Sequence, residues 1–463
     1  MHDPDRRRIL AGSLAGSAFL MRSAAGNGSP SPPDENEARP ALKTVTLQKE
    51  IPCPYNADVA ILGGGITGVC AACASARTGA KTVLVERFAV TGGNLTTGGV
   101  GAFCGESGGQ GEIFDEIVQG LDAFGAVAPY KPYPKGDARI FDHEILAVVL
   151  QELLLREKVT LFLHSRFIDI CGKERRITHA VICGKSGLQA IRAKQFVDCT
   201  GEAEVARAAG FETMKGRPKD GLQLPMSLMF FVRDVKEEAA KAQVPEGWFG
   251  KIAAKQDLPM TSLWPNGPGS HALKLKIPGF DSSQTRGLTE AEIQARRRMM
   301  EVLDYYQRVE KKPWRMDHCS PQIGIREGQR VVGDYLLKLA DLRAGRAFPD
   351  AIARGVFYLD GHDPTNDKRT YILPKEDRWV PPYQIPFRSL VARDGDNLFM
   401  AGRCFSAEQL ALSSARVSTT CAMMGQAAGM AAALAADRDC ASREVDGKEM
   451  NALVQSKGAV LDL

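Results

Sequence analysis

Asp58-Val59-Ala60-Ile61-Leu62-Gly63-Gly64-Gly65-Ile66-Thr67-Gly68 is the stretch that decides the fold. Residues 58–62 are a short apolar run, as a strand covered on both faces requires. The glycines follow at once in a G-x-G-x-x-G spacing, and residues 66–77 continue as a helix of small residues closed by Gly79. A second apolar strand, Thr82-Val83-Leu84-Val85, ends in Glu86. Glycines alone would say little. Strand, turn, helix, strand and terminal acid together specify a dinucleotide-binding βαβ unit. Gly63 permits the tight turn, Gly65 lets the backbone approach a pyrophosphate, and Gly68 lets helix and strand close up. The free N–H groups at the helix start, around Ile66 and Thr67, would face the phosphates. Glu86 would accept hydrogen bonds from an adenosine ribose and repel a 2′-phosphate.

Outward from this unit, Glu86-Arg87 leads into Thr91-Gly92-Gly93-Asn94-Leu95-Thr96-Thr97-Gly98-Gly99. Residues 159–170, 177–183 and 188–198 alternate as strands around turns at Gly172-Lys173 and Ser186-Gly187. The last run ends in Asp198-Cys199-Thr200-Gly201-Glu202-Ala203-Glu204. Much later, Asn397-Leu398-Phe399-Met400-Ala401-Gly402-Arg403 reads as strand plus turn, and residues 419–436 as a helix rich in Gly and Ala. The N-terminus of that helix would carry partial positive charge toward a ring that becomes anionic on reduction.

Taken together, these segments resemble the FAD-dependent oxidoreductase family grouped with the fumarate-reductase and geranylgeranyl-reductase flavoproteins, over roughly residues 57–215 and 320–436. The most specific stretches are 86–99, 323–335, 401–407 and 416–429. The resemblance implies an α/β protein. A Rossmann-type FAD-binding domain of the glutathione-reductase kind would span 57–214 and 386–440, with an inserted, mainly β substrate domain at 215–385 and a tail at 441–463. It implies that FAD is contacted by Gly63, Gly65, Ile66, Thr67, Gly68, Glu86 and Arg87, then by Gly93, Asn94, Leu95 and Thr96 of the Gly-Gly loop. Phe167, Thr200, Gly201, Gly402, Arg403 and Val417 would complete the contacts. Three departures from better-known relatives carry meaning. Arg403 stands where many have an acid, and a guanidinium there would reach phosphate. Asn94 replaces the histidine that tethers flavin covalently in some relatives, so FAD is expected to be non-covalent. No second G-x-G-x-x-G marks a stable nicotinamide site.

Composition narrows the rest. The 463 residues are enough for two or three domains, and 59 Lys and Arg against 55 Asp and Glu leave a net charge of +4. That balance gives no reason to expect nucleic acid, and Arg296-Arg297-Arg298 suits a solvated helix face. The eleven cysteines show no zinc or iron–sulfur spacing, so no metal is expected, and Cys70 and Cys73 suit helix packing. At the N-terminus, Arg6-Arg7-Arg8 precedes the apolar run Ile9–Met21 and then Ser23-Ala24-Ala25. This is the pattern of a twin-arginine signal peptide over 1–25, too short for the roughly twenty residues of a membrane span. Residues 26–56 read as a linker, and the expected location is the periplasm or another exported compartment.

The expected activity is hydride transfer between flavin N5 and a small organic substrate, with a quinone, a redox protein or oxygen as electron partner. The alternative is a flavin subunit that relays electrons within a complex. Arg416, just before the flavin-facing helix, is the first catalytic candidate. Arg326 and Arg330 share a face if 323–340 is a helix, and would clamp an anionic substrate or bridge to Glu327 and Asp334. Cys404 reads as an inert buried thiol or as a redox partner, and His318 and His362 as loop histidines or bases.

Overall fold

Tyr55–Leu62 (β1) occupies the middle of a seven-stranded sheet, and Val59–Leu62 are wholly buried there. From one edge the order is Thr160–Phe162, Thr82–Val85 (β2), β1, Gly187–Asp198, Arg176–Gly184 and Arg166–Lys173, with Leu398–Met400 also paired to Gly187–Asp198. β1 runs parallel to β2 and to Gly187–Asp198, which is in turn parallel to Leu398–Met400. Leu62 is in register with Val85 and Asp198, and Met400 also with Asp198. Four strands therefore end on one line. The loops that leave them, 63–65, 86–88, 199–201 and 401–403, meet at the carboxyl edge of the sheet, where open α/β folds bind ligands.

The chain is described by a computed structural model at residues 45–463, apart from 137, 237 and 239–243. The signal peptide expected at 1–25 and most of the linker lie outside the described residues. Helix α1 (Ile66–Arg77) follows the glycine turn as expected, and its buried face is nearly all small residues. Ser418–Asp437 packs across it. A Cβ on Gly425 would strike the Thr67 carbonyl and one on Gly429 the Ala71 carbonyl, so the two helices touch backbone to backbone. The run expected at 159–170 is two strands, broken near His164, whose φ of 51° leaves the extended region.

A second, antiparallel sheet has the order Thr261–Pro265, Ser270–Ile277, Met226–Asp234, Trp314–Cys319. One face, with Leu228, Phe230, Val232, Leu273 and Leu275, packs on the helix Thr285–Arg308 through Ala291, Ala295, Met299 and Val302. Those helix residues recur at spacings of three and four, the stripe a half-buried helix needs.

Three expectations need correction. Residues 323–338 are not helical; Gly324 exchanges backbone hydrogen bonds with Ser227 at 2.7 and 3.0 Å, which holds the segment extended beside the second sheet. Apolar residues between 331 and 385, placed with the insert, join the larger core, among them Val331, Ile352 and Tyr383. The 441–463 tail includes a helix, Gly447–Ser456, that buries Met450 and Val454. No helix among the described residues is long and apolar enough to cross a membrane.

Candidate active site

Gly63 has φ +101°, and a Cβ there would lie 2.5 Å from the Cys199 carbonyl, so only glycine fits where the turn passes the neighbouring strand. Gly65 differs: it has an ordinary φ of −63°, and a Cβ would meet nothing within 4 Å. What lies beyond it is a cavity of about 780 Å³. α1 has no side-chain cap and no acid in its first turn, and the same holds for Ser418–Asp437, whose Val417, Ser418 and Cys421 also line the cavity. Two helix N-termini with free N–H groups thus meet one space. That arrangement favours anionic groups at both places.

The loops around the cavity are braced from within. Glu86 accepts from Gly64 N at 2.7 Å and Phe88 N at 2.9 Å, and burial pushes its carboxyl up against the pull of those N–H groups. Thr96 donates to the Thr91 carbonyl at 2.8 Å, tying off the Gly-Gly loop. Asp198 accepts from Thr200 N and Oγ1 through one oxygen and from Val205 N through the other, fixing the 199–201 turn. Arg403 Nη1 lies 3.2 Å from Glu202 Oε1, while Glu202 Oε2 is buried with no partner.

Of the residues expected at the cofactor, Gly63, Gly65, Ile66, Thr67, Glu86, Arg87, Gly93, Asn94 and Leu95 line the cavity. So do Phe167, Thr200, Gly201, Arg403 and Val417. Gly68, Thr96 and Gly402 stand behind them: a Cβ on Gly68 would strike the Gly63 carbonyl, and one on Gly402 would come 2.6 Å from Thr67 Oγ1. Asn94 Nδ2 donates to the Ile325 carbonyl at 2.9 Å, joining the Gly-Gly loop to the second sheet's margin.

The cavity continues over the second sheet, where Arg326 and Arg416 line it. Arg326 donates to the Pro225 carbonyl at 2.9 Å and to Ser227 Oγ at 2.6 Å. Arg416 Nη2 donates to Asp360 Oδ2 at 2.9 Å. Arg330 is not part of the lining. It is buried against Glu327 Oε1 at 2.6 Å and the Gly216 carbonyl at 2.9 Å, which removes it from the catalytic candidates. Cys404 lies beneath Asp198, and burial drives its thiol well up, as an inert group requires.

Lys274, Tyr358, Asp360 and Tyr371 also line this end and were not singled out in the sequence. Burial pushes the Asp360 carboxyl up, but the His362 hydrogen bond and the charges of Arg416 and Arg326 outweigh it and hold Asp360 ionised. His362 stands behind it, 3.1 Å from Asp360 Oδ1; burial, then Arg326, press it down to about 3. A neutral imidazole facing a carboxylate must donate from Nε2, which leaves Nδ1 the bare acceptor. Burial and the Asp360 charge keep the Tyr358 phenol protonated, with its oxygen 3.4 Å from that of Tyr371. His318 stacks on Phe231 at 4.3 Å. No group of His, Cys, Asp and Glu among the described residues is arranged to hold a metal ion.

A family model described as FAD dependent oxidoreductase matches residues 58–454. The thiamine thiazole synthase of Pyrococcus horikoshii is 29% identical over 195 residues, 39% of this chain and 73% of that protein. A geranylgeranyl bacteriochlorophyll reductase-like protein from Thermoplasma acidophilum aligns over 87% of this chain and 85% of its own, at 12% identity and a TM-score of 0.46. The anhydrotetracycline hydroxylase of Streptomyces rimosus aligns over 87% and 68%, also at 12% and 0.46.

Proposed function

Because the chain belongs to the FAD-dependent oxidoreductase family and is an enzyme that uses FAD, we propose that it moves a hydride between the bound flavin and a small organic substrate lying on the second sheet. The observation that carries this reading is the continuity of the cavity. Dinucleotide loops line one end, and Lys274, Arg326, Tyr358 and Asp360 the other. FAD supplies the redox chemistry, accepting or giving the hydride at N5. The chain supplies position and charge. Ile66 and Thr67 N–H groups would hold the phosphates, with Arg403 beside them. Glu86 would serve the adenosine ribose, and the start of Ser418–Asp437 would favour negative charge on the ring. Tyr358 Oη, which keeps its proton at neutral pH, is the group that would donate to the substrate. Retention of FAD is non-covalent in this reading, so acid precipitation should leave the pigment in solution.

The test is anaerobic addition of small organic compounds to the FAD-loaded protein with no partner protein present. Loss of the flavin's visible absorbance with one of them supports the reading. Bleaching only by a redox protein would make the chain a relay subunit and overturn it. Export belongs to the same proposal and is supported by Arg6-Arg7-Arg8 and the apolar run after them. Changing the three arginines to lysine together should hold the protein in the cytoplasmic fraction; unchanged export would dismiss the twin-arginine route.

A further inference from the structure

The cavity-facing side of the second sheet is graded from charge to aromatic surface by its register. Ser227 is opposite Lys276, Met229 opposite Lys274, and Phe231 opposite Ala272; on the other side of the same strand, Lys274 faces Ser262 and Ala272 faces Trp264. Directly opposed residues share a face, and successive rows on it are two residues, about 7 Å, apart. One row therefore carries Lys274, and the next carries Phe231 and Trp264.

The charges on this face do not balance. Lys276 is committed to the carbonyls of Asn366 and Arg369. Asp360 is committed to Arg416 and His362. The Lys274 ammonium has no hydrogen-bond or ion-pair partner among the described residues, and the Arg326 guanidinium donates only to neutral oxygens, Pro225 O and Ser227 Oγ. Among the charged groups that line this end of the cavity, Lys274, Arg326 and Arg416 outnumber the single Asp360 carboxylate by two. Desolvated charges are costly unless paired, and an anion is the group that pairs them. The adjoining row is the opposite in character. Phe231 stacks with His318 at 4.3 Å and His143 at 5.6 Å, and Trp264 packs beside it.

We infer that the substrate is an amphiphilic organic anion, its charged head between Lys274 and Arg326 and its apolar or ring-bearing body along Met229, Phe231 and Trp264. This deepens the hydride-transfer reading and rests on it, because the same cavity must hold FAD.

Three probes test it on FAD-loaded protein: trans-cinnamate, its neutral amide and acetate, with binding read by calorimetry and by perturbation of the flavin spectrum. Cinnamate should bind about tenfold or more tightly than either of the others, since a charge-assisted contact or a buried ring each supplies that much. Lys274→Met should lose that advantage over the amide while still retaining FAD, and Lys274→Arg should restore it. Trp264→Ala should narrow the gap between cinnamate and acetate. Cinnamate no tighter than its amide in the wild type, or unaffected by Lys274→Met, overturns the inference. Failure of the wild type to take up FAD overturns the underlying reading first, and the inference with it.

Discussion

Arg416 and Asp360 meet in the cavity wall at 2.9 Å, one from the turn between the helices Gln409–Ala415 and Ser418–Asp437, the other from a loop of the larger core. The arginine also donates to the Asp360 backbone carbonyl at 3.1 Å, so both ends of the aspartate are held. Neither side chain is well exposed. Removing one partner leaves the other charge buried, which is costlier than losing the pair. Arg416→Ala and Asp360→Asn should each destabilise the protein, and the double variant should fall short of their sum by about 1–3 kcal/mol in urea denaturation. Simple additivity would show that the pair is not coupled.

Gly65 and Gly68 lie in one motif but answer to different demands. A Cβ on Gly65 enters only the cavity, whereas one on Gly68 collides with the Gly63 carbonyl. Gly65→Ala should therefore leave the apoprotein's Tm unchanged and weaken FAD by about tenfold or more, the cost of displacing a phosphate from its N–H groups. Gly68→Ala should lower the Tm of the apoprotein itself, by an overpacking penalty of about 1–3 kcal/mol. Equal FAD affinity in Gly65→Ala and wild type would place the dinucleotide elsewhere.

The cofactor half of the site was legible because its chemistry is backbone chemistry. Leu62, Gly63 and Gly65 must be contiguous in sequence to make the turn, and one helix sets how far on Val85 follows, so their pattern survives in one dimension. Glu86 was read from its distance along the chain, and the structure sets it in the cavity wall, bonded to Gly64 N. The substrate half has no such constraint. Lys274 and Met229 are neighbours only through strand register, and Asp360 and Arg416, 56 residues apart, meet only in the folded chain. Arg326 and Arg330 showed the hazard of spacing alone: four residues apart suggested a shared helical face, but Gly324 pairs with Ser227 and the chain there is extended.

That separation of the two arginines yields its own test. Arg330 and Glu327 form a buried pair, and Glu327 also accepts from Leu224 N and Gln409 Nε2, both at 2.7 Å. Arg330→Met should destabilise the fold by about 3–5 kcal/mol, as loss of a buried partner does. The protein that remains folded should keep wild-type KM. Arg326→Met should do the reverse, raising KM with a smaller loss of stability. A changed KM in Arg330→Met, measured below its unfolding temperature, would return that residue to the active site.

Glu202 makes the stability of the apoprotein pH-dependent in a definite direction. Burial pushes its carboxyl up to about 7, with Arg403 pulling the other way, from an ordinary value of 4.5. The folded state therefore holds this proton more tightly than the unfolded chain does. Its stabilising contribution is complete below about pH 4.5 and is lost as the pH rises through about 7. Glu202→Gln keeps the shape and an acceptor for Arg403 but cannot ionise. The Tm difference between the two apoproteins should thus be small near pH 4.5 and grow in favour of the variant toward pH 8, other titrating groups being common to both. A difference that stays constant across that range would mean that the Glu202 carboxyl titrates alike in the folded and unfolded chains, Arg403 offsetting the cost of burial.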